Sequence, residues 1–194
     1  MQPTRADACT AVETLLRYLG EDPEREGLRE TPSRFVAAME AYTAGMALTP
    51  DKILKTFADG AEGTNELVIV HNIPFLSICE HHLAPVTGIA HVGYIPSGKI
   101  VGLSKLARLT NIFARRLQVQ ERATQQIADA LVEHLQPVGV GVLVRAAHGC
   151  MSHRGVMIHG SVTTTSAMRG ALLEEPAARA EFLALCRDGE RSHG

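Results

Sequence analysis

The chain has 194 residues, with 19 Lys and Arg against 21 Asp and Glu, a formal net charge of −2, and 45% apolar residues. This composition can bury a core and excludes disorder as the main state, while the balanced charge disfavours a nucleic-acid partner, whose phosphates call for a surplus of cations. No apolar run nears the ~20 residues of a membrane span, and the opening MQPTRADACT lacks the basic-then-apolar layout of a signal peptide, so a cytoplasmic setting without a membrane partner is expected.

Ala8, Val12, Leu15, Leu16 and Leu19 recur at helical spacing before Gly20, which predicts a first helix over residues 5–19. A charged connector from Glu21 to Glu30 follows. Thr31 as N-cap and Pro32 in the first turn then predict a helix through Phe35, Ala38, Met39 and Tyr42. A short helix is expected near 51–57, with a glycine-containing turn over 59–64. Residues 1–60 are thus expected to form a helical arm, and 61–194 the main domain.

Glu66 to His71 is rich in Val and Ile and predicts a strand; Val86 to Ile95 is apolar on both alternating sets, as in a strand covered on both faces. The stretch between them, 72–85, reads as irregular. Leu106, Leu109 and Phe113 mark one amphipathic helix, and Ile127, Ala128, Leu131, Val132 and Leu135 a second. Strict alternation from Val138 to Ala146 predicts a third strand, and the β-branched stretch from Val156 to Thr165 a fourth. The order ββααββ suggests an α+β architecture, an antiparallel sheet with a helix pair on one face. A terminal helix near 179–186 closes the chain.

Four cysteines (Cys9, Cys79, Cys150, Cys186) and nine histidines carry the chemistry. A cytoplasmic chain with its own core has little use for disulfides, so thiols or metal ligands are expected. In Cys79-Glu80-His81-His82 the thiol and the second imidazole are three positions apart and can converge on one ion, leaving His81 spare. His148-Gly149-Cys150 ends the third predicted strand; if that strand continues, His148 and Cys150 share a face. Cys79, His82 and Cys150 then form a three-ligand set with an open position, the catalytic form of a zinc site, at which a water pKa can fall to about 7. His81 and His148 are candidate proton carriers. Cys9 and Cys186 read as packed core residues.

Gly102-Leu103-Ser104-Lys105 opens the first long helix, with Ser104 suited to its N-cap. Lys105 and Arg108 then occupy its first turn, where cations oppose the helix dipole unless an anion also binds. Arg34 is the same exception after Thr31-Pro32, and Arg154 lies four residues beyond Cys150. Their shared oddity favours phosphate binding near a metal. Glu121 opens the second long helix, where a carboxylate is stabilised and could also accept from paired N–H donors such as guanine N1 and its exocyclic amine.

SICEHHLAP (77–85), HVGYIP (91–96), GLSKLAR (102–108), RRLQVQER (115–122), AAHGCM (146–151) and RGV (154–156) together resemble the GTP cyclohydrolase I family, over a span from TPSR at Thr31 to Ser166. The resemblance implies the tunnelling fold, a homo-oligomer (a decamer with sites between subunits), Zn²⁺ as cofactor and GTP as substrate. Cys79, His82 and Cys150 match the zinc ligands, and His81 and His148 the proton-transfer histidines, with Ser104 also placed in the catalytic set. Gln120 and Glu121 match the guanine-contacting pair. Ser104, Lys105, Arg108 and Arg154 match residues around the triphosphate and ribose, and Arg34 an arginine reaching a neighbouring subunit's site. The implied reaction hydrates C8 of GTP, opens the imidazole ring, loses formate, and rearranges the ribose to give 7,8-dihydroneopterin triphosphate, the first step of pterin and tetrahydrofolate biosynthesis. After Ser166 the chain reads AMRGALLEEP where many relatives place an aromatic residue, so Leu172 or Leu173 is expected to pack in its stead.

Two other readings compete. A nitrile reductase of the same fold needs a free nucleophilic thiol, whereas Cys79 is embedded among metal-type neighbours. A non-catalytic zinc-stabilised ring would have no use for His81, His148 and Glu121.

Overall fold

Contacts divide the chain into two units, residues 1–43 and 44–194; the computed structural model describes residues 2–191. In the first unit, α1 (Arg5–Tyr18) packs on α2 (Thr31–Tyr42). α1 opens with a capping box in which Thr4 accepts from the Asp7 N–H and the Asp7 carboxylate accepts from the Thr4 N–H. It buries no side chain, and Cys9 is only half-buried rather than a core residue. The N-cap of α2 is Glu30, without a side-chain cap bond. Thr31 is therefore the first helical residue, one position later than a cap, and Pro32 still falls in the first turn where its missing N–H costs nothing.

The second unit begins with two short 3₁₀ turns at 44–47 and 50–52 and continues as β1 (Thr56–Phe57), β2 (Val68–Cys79), β3 (Ala84–Ile95), β4 (Ile100–Val101), α3 (Leu103–Ala114), β5 (Leu117–Gln118), α4 (Gln120–Leu135), β6 (Gly139–His148), α5 (Gly149–Ser152), β7 (Thr163–Gly170), α6 (Ala171–Glu174) and α7 (Pro176–Arg191). The helix expected at 51–57 is replaced by the second 3₁₀ turn and β1, which pairs with β4. The main sheet has the order β5-β2-β3-β6-β7, antiparallel except where β5 runs parallel to the end of β2.

Two predicted strand boundaries are corrected. β2 runs through most of the stretch read as irregular, reaching Cys79; a bulge between Val70 and Ile73, with Asn72 at φ 51°, breaks the period that would have revealed the strand. The fourth strand starts at Thr163 rather than Val156. Val156, Met157 and Ile158 lie exposed before it, and pairing begins only where Thr163 meets Ala146.

One face of the sheet carries Ala90, Val92, Tyr94, Val140, Val142 and Val144, packed against Leu106, Leu109 and Ile112 of α3 and Ile127, Ala128 and Leu131 of α4. Fully burying each large aliphatic of that set contributes about 1.5–3 kcal/mol. Val132, expected in this stripe, is 40% exposed. The opposite face is also covered: Phe182 and Cys186 of the terminal helix pack with Met168, Leu172, Ile69 and Leu143. Gly93 and Gly141 stand opposite one another in the β3–β6 ladder beneath Phe182, and a Cβ at Gly141 would lie 2.9 Å from the ring. Of the two leucines expected to pack, Leu172 is buried and Leu173 exposed.

Candidate active site

β2 ends at Cys79 in a tight turn to β3, with the Leu83 N–H bonded to the Cys79 carbonyl at 2.9 Å and Leu83 itself at φ 50°. The turn folds His82 back over Cys79. From the other side β6 delivers His148, after which the chain bends into α5, so Cys150 reaches the cluster from a helical turn and not by strand alternation. Gly149 allows this approach: a Cβ there would sit 2.8 Å from the Pro85 carbonyl oxygen. The ligating atoms of Cys79, His82 and Cys150 consequently lie within 4.8 Å of one another. No disulfide joins any of the four cysteines. Burial and the adjacent Cys79 thiol push the Cys150 thiol up from its ordinary pKa, with Arg154 opposing in part.

A cavity of about 240 Å³ borders this cluster. His81 lines it, with Nδ1 3.9 Å from the Cys79 sulfur, while the His82 ring stands nearly perpendicular at 6.4 Å between centroids. His148, Gln120 and Glu121 line it as well. His148 Nε2 is 2.8 Å from Gln120 Oε1. Burial lowers the His148 pKa, which favours the neutral imidazole, and Glu121 opposes in part. Neutral histidine is the form able to accept a proton.

Of the other predicted residues of the second unit, Ser104, Lys105, Arg108 and Arg154 do not line the cavity, although Arg154 is near enough to Cys150 to act on its thiol. The N-cap of α3 is Gly102, so Ser104 is the second helical residue, exposed and making no cap bond. α3 borders the cavity with Thr110 and Ala114, about 9 and 15 Å along the axis from Ser104. Neither Ser104, Lys105 nor Arg108 lines that cavity; Arg108 lines a separate cleft of about 270 Å³ with Asn111 and Arg115. Arg154 is exposed in the turn after α5. Arg34, in the first unit, is exposed and ion-paired with Glu30.

An ion pair that spacing could not reveal braces the ligand-bearing turn. Arg122 donates to both carboxylate oxygens of Glu80, at 2.7 and 3.0 Å, and to Gln118 Oε1 at 3.3 Å. The guanidinium holds the Glu80 carboxyl below the usual carboxylate range. With the Glu80 N–H on the Gln118 carbonyl at 3.1 Å, the turn is tied to the start of α4 and hence to Glu121. The separation of 42 positions between Glu80 and Arg122 leaves no sequence signal for this pair.

The family profile described as GTP cyclohydrolase I matches residues 8–187. A GTP cyclohydrolase 1 of Nitrosospira multiformis is 58% identical over 176 residues, covering 91% of this chain and 92% of that protein. One from Janthinobacterium sp. (strain Marseille) is 55% identical, with 90% and 88% covered, and one from Campylobacter curvus 48%, with 94% and 96% covered. Among solved structures, the apo form of the archaeosine synthase QueF-Like aligns with a TM-score of 0.45 at 17% identity, over 54% of this chain and 93% of that one. The profile match, the near full-length identity and the cluster of Cys79, His82 and Cys150 at the edge of a cavity lined by His81 and His148 lead to one conclusion: the chain belongs to the GTP cyclohydrolase I family of enzymes.

Proposed function

We propose that this protein is a zinc-dependent enzyme that hydrolytically opens the imidazole ring of GTP, releases C8 as formate and rearranges the product to 7,8-dihydroneopterin triphosphate, the first committed step of cytoplasmic pterin biosynthesis. The observation that carries the reading is the convergence of Cys79, His82 and Cys150 on one point beside a cavity that also holds His81, His148 and Glu121.

Two thiols and one imidazole are a soft donor set that suits zinc and not magnesium or calcium. Around a tetrahedral ion such ligand atoms would sit roughly 3.7 Å apart, so a cluster already within 4.8 Å fits with little movement. When bound, zinc supplies Lewis-acid chemistry that brings a water pKa to about 7. Glu121 orients the substrate by accepting from guanine N1–H and the exocyclic amine, with Gln120 beside it. His148, kept neutral by burial, takes a proton at the ring-opening step, and the exposed His81 exchanges protons at the mouth of the cavity. Ser104, Lys105, Arg108, Arg154 and Arg34 are proposed to hold the ribose and triphosphate. A tunnelling-fold homo-oligomer, a decamer in the family, would let a neighbouring subunit supply such groups, since Ser104, Lys105 and Arg108 do not line the cavity of their own chain.

The test is metal analysis joined to a GTP assay that follows formate and the fluorescence of the oxidised pterin. About one zinc per chain and stoichiometric formate are expected. Metal-replete protein that yields no formate from GTP would overturn the reading.

A further inference from the structure

We propose that the Gln120 side chain is a positioning group for His148, holding that imidazole in the Nε2–H tautomer so that Nδ1 is the atom left to accept and return protons. The proposal rests on the functional reading above only in taking His148 as a proton carrier. The tautomer follows from the hydrogen bonds alone.

Gln120 is 6% exposed at the start of α4. Its Nε2 lies 3.2 Å from the Val144 carbonyl oxygen, 3.1 Å from the Thr163 carbonyl oxygen and 3.1 Å from Thr165 Oγ1. Backbone carbonyl oxygens only accept. A flipped amide would set its own oxygen against two of them, so the NH₂ group must face β6 and β7. Oε1 is then the atom 2.8 Å from His148 Nε2, and because an amide oxygen only accepts, that ring nitrogen carries the proton. The lone pair of the neutral ring falls on Nδ1.

The surrounding hydroxyls leave the same single orientation. Thr124 donates to the Gln120 carbonyl at 2.7 Å, so in the 2.7 Å contact between Thr124 and Thr165 it is Thr165 that donates. The Thr165 oxygen is thereby oriented to accept from Gln120. The direction of every bond in this closed set is decided, and both amide hydrogens are spent on acceptors inside the protein. Recognition of the base then belongs to Glu121, whose side chain is exposed and lines the cavity. Gln120 acts through His148 in much the way a triad carboxylate fixes the tautomer of its histidine, with the difference that a neutral amide adds no charge.

Full-length zinc-loaded protein labelled with ¹⁵N-histidine provides the direct test. In long-range ¹H–¹⁵N spectra, with the His148 signal identified by its loss in His148→Ala, the ε2 nitrogen should be the protonated one and δ1 the bare one. The reverse pattern would overturn the proposal. In kinetics, Gln120→Met should lower kcat by roughly 100-fold while KM for GTP moves by less than about threefold. In a His148→Ala background the same substitution should cost less than about threefold further, since the group it positions is gone. A raised KM at unchanged kcat, or a full additional loss in the His148→Ala background, would instead make Gln120 a base-reading residue. Should Gln120→Met fail to fold, the wild-type spectrum decides alone. Should wild-type protein release no formate, the functional reading falls while the spectrum still decides the tautomer.

Discussion

Cys150 stands two residues beyond His148, yet the two side chains meet different partners. Cys150 faces Cys79 and His82, whereas His148 is held by Gln120. Replacing Cys150 by Ser should therefore take bound zinc from about one per chain to near none, because a hydroxyl stays protonated where a thiolate would ligate. Atomic absorption on dialysed protein checks this, and a variant that keeps its zinc would remove Cys150 from the ligand set. At this scale the CEHH turn was legible because both ligands sit on one local segment. The role of Gln120 was not, since its partners Val144, Thr163 and Thr165 lie on strands that only folding brings to α4.

At the scale of elements, the ligand-bearing turn and α4 are joined by Arg122 and Glu80. Side chains around a metal site that orient its ligands govern affinity more than fold stability. Arg122→Ala should weaken zinc binding by roughly 10- to 100-fold while leaving fold stability nearly unchanged, as expected of a solvent-screened pair. Competition with a chromophoric chelator and a denaturant titration separate the two effects; equal losses in both would make the pair a structural brace only. The terminal helix makes the opposite case. Phe182 is fully buried over Gly141 on the sheet face turned away from the helix pair, so Phe182→Ala should cost about 3–5 kcal/mol in a denaturant titration and leave zinc content unchanged. The amphipathic stripes of α3 and α4 were plain in the sequence. β2 was cut short because its bulge shifted the alternation, and β7 was placed too early because β-branched residues form a strand only where a partner strand stands beside them.

Across the whole second unit, the three candidate ligands come from the end of β2 with its turn to β3 and from α5, two segments separated by more than sixty residues of helix and sheet. A metal held by both exists as a site only in the folded chain, so zinc should stabilise it by about 4 kcal/mol when present at a thousand times its dissociation constant. Chelation should lower the melting temperature and re-addition of zinc should restore it; a melting temperature indifferent to zinc would mean that the ligands do not meet in solution.

The sequence by itself determined the ββααββ order, the apolar stripes that pack on the sheet, and the residue types of a soft metal site flanked by histidines, because these depend on local period and local spacing. Only the tertiary structure decided that the terminal helix covers the second sheet face, that Cys150 reaches the cluster from a helical turn permitted by Gly149, and that Ser104, Lys105 and Arg108 do not line the cavity. Those outcomes depend on which strands pair, where a bulge resets the register and how closely two backbones approach, and each is a relation between distant segments that no local pattern encodes.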